Sequence, residues 1–209
     1  MQSDKTRDST FGVGCVTRFY IPLLLQGFSQ SLAYPLVAGI VTHGKFGVDA
    51  LTAFSQGQMV MFMIGAIGGG LITTGLVFAK TWMGYIAFKR LNALMMAALL
   101  SVQCVVAMPP FSGWIFSGLF NLPDELAHIA SRTLLLGTVM NGLFFLRNVP
   151  MVVLFNNLDS AKANYATLIR LVVTFALAIF LPRLDFVGPW WGLAALTFGV
   201  GVELVATWL

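Results

Sequence analysis

Residues 50–79 read ALTAFSQGQMVMFMIGAIGGGLITTGLVFA and carry no charged side chain. The charges of Asp49 and Lys80 stand at the two ends of this stretch. A helix of about 20 apolar residues is long enough to cross the roughly 30 Å hydrocarbon core of a bilayer. The stretch therefore predicts a membrane-spanning helix over 51–78.

The rest of the chain divides at its charges and turn residues in the same way. The fourth interval is the least clear, because Arg132 and Arg147 bracket a short uncharged run, although residues 151–157 can extend it past Pro150. A polar arm, 1–17, precedes the first span. We expect an all-α integral membrane protein of six transmembrane helices, over 18–41, 51–78, 91–110, 127–150, 163–182 and 189–209.

The composition excludes an ordinary soluble domain. Hydrophobic residues make up 58% of the chain and charged residues only 10%, against about 25% charged in soluble proteins. The net charge is +4, but the positive side chains flank apolar segments, which indicates membrane topology rather than nucleic-acid binding. The first apolar segment is too long for the core of a cleaved signal peptide, so we interpret it as a retained span.

The distribution of Lys and Arg predicts the orientation. With the N-terminus inside, eight of these residues fall in cytoplasmic segments and two outside, which agrees with the excess of positive charge on cytoplasmic loops. We therefore expect both termini to be cytoplasmic, and the membrane to be a bacterial inner membrane. The inner set is Lys5, Arg7, Arg18, Lys80, Lys89, Arg90, Arg147 and Lys162, and the outer set is Lys45 and Arg183.

Span 2 carries small residues at a spacing of four. Such residues let the backbone of a neighbouring helix approach closely. We expect them to pack within the bundle. The two series are Gly65, Gly69 and Thr73, and Ala66, Gly70 and Thr74.

Three spans carry polar side chains at helical spacing, which places each set on one face. A polar face in a membrane looks at other helices or at a water-filled cavity. For Ser and Thr we favour hydrogen bonds between helices, and for Arg170 both a functional use and snorkelling to the membrane surface stay open. The sets are Gln26, Ser29 and Gln30 in span 1, Ser131, Thr138, Asn141 and Asn148 in span 4, and Asn164, Thr167, Arg170 and Thr174 in span 5.

The sign of the charges inside the spans indicates the class of solute. Arginines lie in or at the ends of spans 4 and 5, at Arg132, Arg147 and Arg170, whereas Glu203 is the only acid inside a span. Guanidinium groups bind carboxylate or phosphate by paired hydrogen bonds. His43 and His128 stand far apart, and no catalytic pair is visible, so we expect neither an enzyme nor a metal or organic cofactor.

Three short motifs stand near the two ends of the bundle: RFYIPL at 18–23, GKFGVDAL at 44–51 and WGLAAL at 191–196. Through them the chain resembles one lobe of the MATE-type multidrug/oligosaccharide/polysaccharide (MOP) flippase superfamily, and the resemblance covers nearly the whole chain. A narrower resemblance, through GLVF at 75–78, is to the progressive-ankylosis (ANKH-like) branch. The superfamily implies two six-helix lobes around a central cavity, and the branch implies export of anions such as pyrophosphate, nucleotides and citrate.

Two departures from the family pattern matter. Many cation-coupled members carry an Asp late in the first helix, where this chain has Val37-Ala38-Gly39, which argues against proton- or sodium-coupled drug efflux by this lobe. The sequence ends at Leu209, where the family would continue into a second lobe. A homodimer, a partner lobe on another chain and a truncated chain all fit.

Our leading hypothesis is a secondary transporter lobe that moves an anionic or amphiphilic solute by alternating access. Spans 1, 4 and 5 would line its cavity. Arg132, Arg147 and Arg170 would attract negative groups, and Gln26, Gln30 and Asn141 would orient the solute by hydrogen bonds. The alternative is a membrane scaffold, or an inactive lobe, that transports nothing. Partners would be the lipid bilayer, the solute and a second copy or lobe, with no nucleic acid.

Overall fold

The computed structural model describes residues 13–43, 46–184 and 188–208, which contain helices and no strand. A short helix, α4 (Phe111–Gly113), runs into a π-helical turn, Trp114–Leu119, and a 3-10 turn, Leu181–Arg183, follows the helix Ser160–Phe180. The long helices of the described chain are α1 (Val13–Thr42), α2 (Gly47–Phe78), α3 (Trp82–Ala107), α5 (Asp124–Asn156), α6 (Ser160–Phe180) and α7 (Pro189–Trp208).

Five of these helices are long and apolar enough to cross a membrane, which indicates an integral membrane protein with an all-α fold. They are α2, α3, α5, α7, and α6 with its 3-10 extension to Arg183. The predicted count was six. The difference lies in α1, because its apolar stretch among the described residues is Ser31–Thr42, which is shorter than a span.

Several helices extend beyond the predicted spans. Helix α3 begins at Trp82, before the predicted span 91–110, and its exposed Lys89 and Arg90 do not interrupt it. Helix α5 continues through Pro150 to Asn156. Between the predicted spans 91–110 and 127–150 the chain forms α4 and the π-helical turn.

Helix α5 is the centre of the bundle. Helices α2, α3 and α7 all pack along it, while α1 packs mainly on α6, and α6 on α7. The apolar core between α2 and α5 includes Phe54, Met61, Leu134 and Met140, all buried. A polar residue on the inner face of α5 therefore meets α2, α3 or α7 rather than lipid.

Small residues of α2 make part of the α2–α5 contact possible. A Cβ atom on Gly57 would lie 2.5 Å from the carbonyl oxygen of Ala130, and one on Gly65 would lie 2.6 Å from Oδ1 of Asn141. Gly69 and Gly70, by contrast, face open space. The expected packing series is thus only partly right, because the contact face of α2 includes Gly65 and leaves Gly69 and Gly70 outside.

Candidate functional site

The carboxylate of Glu203, on α7, is a charged group that is fully buried inside the described bundle. Nη1 of Arg147, on α5, donates to both carboxylate oxygens at 2.9 Å. Nη1 of Arg170, on α6, donates to Oε2 at 2.9 Å, and Oγ1 of Thr167 donates to Oε1 at 2.7 Å. Three helices are thus joined through one carboxylate.

This arrangement follows from the cost of charge in an apolar medium. A lone arginine at the centre of a membrane helix costs at least ~2.5 kcal/mol, so buried charges in membranes pair with one another. Arg147 is 8% exposed and Arg170 is 4% exposed, and both find Glu203. Two guanidinium groups and one carboxylate leave one net positive charge in the cluster. Below we call Arg147, Arg170, Glu203 and Thr167 the charged cluster.

Arg147 also lines a cleft between α2 and α5 with a volume of about 270 Å³. Its guanidinium lies 4.9 Å from the ring centre of Phe144, which lines the same cleft. Its Nε is buried and has no hydrogen-bond partner in the protein. This Nε, like that of Arg170, is a buried donor that the protein does not satisfy. The other walls of the cleft are Phe62, Gly65, Ala66, Gly68, Gly69, Ile72, Asn141, Phe145 and Asn148.

Two asparagines of α5 border this cleft and fix its shape. Nδ2 of Asn148 donates to the carbonyl oxygen of Gly68 at 2.9 Å and to Oδ1 of Asn92 at 3.2 Å. Nδ2 of Asn141 donates to the carbonyl oxygen of Met61 at 3.1 Å and to Oε1 of Gln103 at 2.7 Å. These bonds hold α2, α3 and α5 together around the cleft.

The anchoring amides on α3 are themselves held by α5. Nδ2 of Asn92 donates to the carbonyl oxygen of Phe145, and Nε2 of Gln103 donates to that of Leu134, both at 2.8 Å. Both amides are buried. Because each is bonded at both ends of its amide, the cleft wall is held by hydrogen bonds as well as by packing.

The structure brings together three of the predicted site residues. Arg147 and Arg170 meet at Glu203, and Asn141 lines the same cleft as Arg147. Arg132 lies apart. It is exposed, its guanidinium is 5.6 Å from the ring of Trp190, and it is roughly 22 Å from Arg147 along α5.

Gln26 and Gln30, the two predicted site residues of span 1, fall within α1. Their side chains lie outside the described residues. Their proposed part in solute binding stays a prediction.

The sequence reasoning missed the role of Glu203 as the partner of both arginines. The signal was present, because Glu203 is the only acid inside a predicted span and a buried carboxylate needs a cation nearby. It also missed Asn92 and Gln103, which the charge-based reading of span 3 passed over. Asn148 was on a predicted polar stripe but had no assigned role.

No protein-family model matches this sequence, and no curated protein or solved structure matches it significantly.

Proposed function

We propose that this chain is one lobe of a MATE/MOP-type secondary transporter that moves an anionic or amphiphilic solute by alternating access. The lobe would have six spans with both termini cytoplasmic, in a bacterial inner membrane, and would act with a second copy or a partner lobe. The observation that carries the proposal is the cleft between α2 and α5, whose lining includes Arg147 and two asparagines, Asn141 and Asn148.

The charge balance of the cluster supports an anionic solute. Glu203 compensates one of its two arginines, which leaves one positive charge beside the cleft. Arg147 is the member that lines the cleft, and its Nε is without a protein partner. A carboxylate or phosphate group entering the cleft would be attracted by the net charge and could accept a hydrogen bond from this guanidinium.

Apolar walls support an amphiphilic solute. Phe62, Ile72, Phe144 and Phe145 line the same cleft as the polar groups. Ligand sites are commonly apolar clefts in which a few polar groups fix the orientation. In this proposal Arg147 takes the negative group, the asparagines fix the cleft wall, and the aromatic rings contact the apolar part of the solute.

Anion flux into liposomes tests the proposal, with Arg147→Gln as the variant and Arg170→Gln as the matched control. Each substitution removes one positive charge and leaves Glu203 paired with the remaining arginine, but only Arg147 lines the cleft. The purified protein is reconstituted, and uptake of radiolabelled citrate and pyrophosphate is measured. We expect Arg147→Gln to weaken the apparent affinity roughly tenfold or more, as for a lost hydrogen bond to a charged group.

Arg170→Gln should keep an affinity much closer to that of the unmodified protein, because Arg170 reaches Glu203 from the side of α6. Equal losses in the two variants would mean that the charge of the cluster matters and the cleft does not. Unchanged flux in both variants would mean that neither arginine takes part in solute binding. The flux of Arg132→Gln should stay unchanged, because this exposed residue lies far from the cleft.

The charged cluster also supports the second hypothesis, a non-transporting scaffold. Arg147 and Arg170 each donate to Glu203, and such a network can serve only to join α5, α6 and α7. In that case liposomes containing the protein would take up no more citrate, pyrophosphate or nucleotide than empty liposomes. Cross-linking in native membranes would then find a strictly monomeric chain.

A further inference from the structure

We propose that the cleft at the α2–α3 turn is a binding site for the headgroup of an anionic phospholipid. This inference is independent of the transport proposal. The cleft has a volume of about 550 Å³. Its walls come from the α2–α3 turn, the start of α3 and the end of α5, namely Ala79, Lys80, Thr81, Trp82, Tyr85, Val153, Asn156 and Asn157. We call it the turn cleft.

The charge at the turn cleft is positive. Lys80 lines it, and Nζ of Lys89 lies 5.6 Å from the ring centre of Tyr85, which is a wall of the cleft. No acidic residue is among the lining residues. The nearby Asp159 caps α6 and lies 3.9 Å from Nζ of Lys162, so its charge already has a partner. The cleft therefore favours an anion.

The aromatic residues place the turn cleft at the boundary between membrane and water. Trp82 is 72% exposed, and its ring centre lies 5.9 Å from that of Tyr85. Trp and Tyr are enriched where membrane helices meet the headgroup layer. Lys80 lies in the turn between two helices that are long and apolar enough to cross the membrane, which is where a basic residue meets lipid phosphate.

The walls combine polar and apolar groups in the way that a lipid headgroup requires. Lys80, Asn156 and Asn157 supply hydrogen-bond donors, while Ala79 and Val153 supply apolar surface. Nδ2 of Asn156 donates to the carbonyl oxygen of Ala79 at 3.5 Å, which holds the turn against the end of α5. A phosphate group would be bound by the amine and the amides, and its glycerol and acyl carbons would contact the apolar wall.

Lipid binding to the full chain in detergent, counted by native mass spectrometry, tests the proposal. The probes are phosphatidylglycerol and phosphatidylcholine, which differ in net charge. The variant is Lys80→Gln with Lys89→Gln, and the matched control is Arg132→Gln with Arg183→Gln, which also removes two positive charges, both exposed and both outside the cleft. We expect the unmodified protein to prefer phosphatidylglycerol, and the double variant to bind it roughly tenfold more weakly because two charges are lost.

The control double variant should bind phosphatidylglycerol as the unmodified protein does. Equal weakening in the control would overturn the proposal, because binding would then follow the overall charge rather than the cleft. No preference between the two lipids would also overturn it. Excess inorganic phosphate separates the two sources of the anion: if it displaces the lipid completely, the cleft binds a soluble phosphate and the assignment to lipid is wrong.

Discussion

At the scale of single residues, Glu203 controls the stability of the charged cluster. Its carboxylate accepts from Arg147, Arg170 and Thr167, and all four residues are buried. Removing one member of a buried pair leaves an uncompensated charge, which costs about 3–5 kcal/mol. In this cluster, loss of Glu203 leaves two arginines facing each other.

We therefore predict that Glu203→Ala lowers the stability of the protein far more than Thr167→Val. The first variant exposes two unpaired guanidinium groups to each other, whereas the second removes one hydrogen bond to a carboxylate, worth about 1.5–3 kcal/mol. The midpoint of thermal unfolding in detergent measures the difference. If Glu203→Ala were as stable as Thr167→Val, the ion pairs would contribute little.

The sequence contained part of this cluster. Arg147 and Arg170 stood out as charges within apolar helices, and Glu203 as the only acid in a span. Their meeting point could not be predicted, because it depends on how α5, α6 and α7 are arranged in space. Helical spacing states which residues of one helix share a face, but it does not state which helices are neighbours.

At the scale of secondary-structure elements, the length of the uncharged stretches predicted which segments are helical better than it predicted where each helix ends. The uncharged stretch 50–79 lies within α2, Gly47–Phe78, except for its last residue, Ala79. The start of α3 was predicted too late, because a cut at Arg90 treats a charge as the end of a helix. Charged side chains near the membrane surface extend to water while their backbone stays helical, so a charge marks the edge of the apolar core and not the edge of the helix.

Packing between α2 and α5 depends on which glycines of α2 lie in the interface. We predict that Gly57→Ala destabilises the bundle, because the new Cβ would lie 2.5 Å from the backbone carbonyl oxygen of Ala130, an atom that cannot move without shifting α5. Overpacking of this kind costs about 1–3 kcal/mol. The control is Gly70→Ala on the same helix, where a Cβ meets open space.

Gly70→Ala should leave stability unchanged or raise it slightly, since alanine has a better helix propensity than glycine by about 1 kcal/mol. Thermal unfolding in detergent compares the two variants with the unmodified protein. A larger loss for Gly70→Ala than for Gly57→Ala would mean that α2 packs through its other face, as the sequence pattern alone had indicated.

At the scale of the whole molecule, the two proposed functions, solute transport and lipid binding, belong to two separate clefts. The cleft beside Arg147 lies between α2 and α5, and the turn cleft lies where α2, α3 and α5 end or begin. Helix α5 contributes to both, and it also carries Arg147 of the charged cluster. A shift of α5 would therefore change the shape of both clefts and the contacts of Glu203. A helix that moves in an alternating-access cycle is required to couple sites in this way.

The transport proposal includes a second copy of the chain, and two-fold symmetry restricts its position relative to the first. Two parallel lobes related by an axis along the membrane normal place each residue of one copy at the same depth as its equivalent in the other. A residue close to the axis then lies next to its own equivalent. Gly70 faces open space on α2, next to the cleft-lining Gly69, so it is a natural position for this contact.

We predict that Gly70→Cys, in a background where Cys15 and Cys104 are replaced by Ser, forms a disulfide-linked dimer in native membranes. The control is Val172→Cys, which is also exposed but lies on α6. Disulfide formation requires Cα atoms within about 7 Å, so only a position near the axis links efficiently. Non-reducing electrophoresis measures the product. A linked dimer from Val172→Cys and none from Gly70→Cys would place the symmetry axis on the far side of the lobe, with the dimer contact away from the cleft. No dimer from either variant would favour a partner lobe on another chain or the monomeric scaffold.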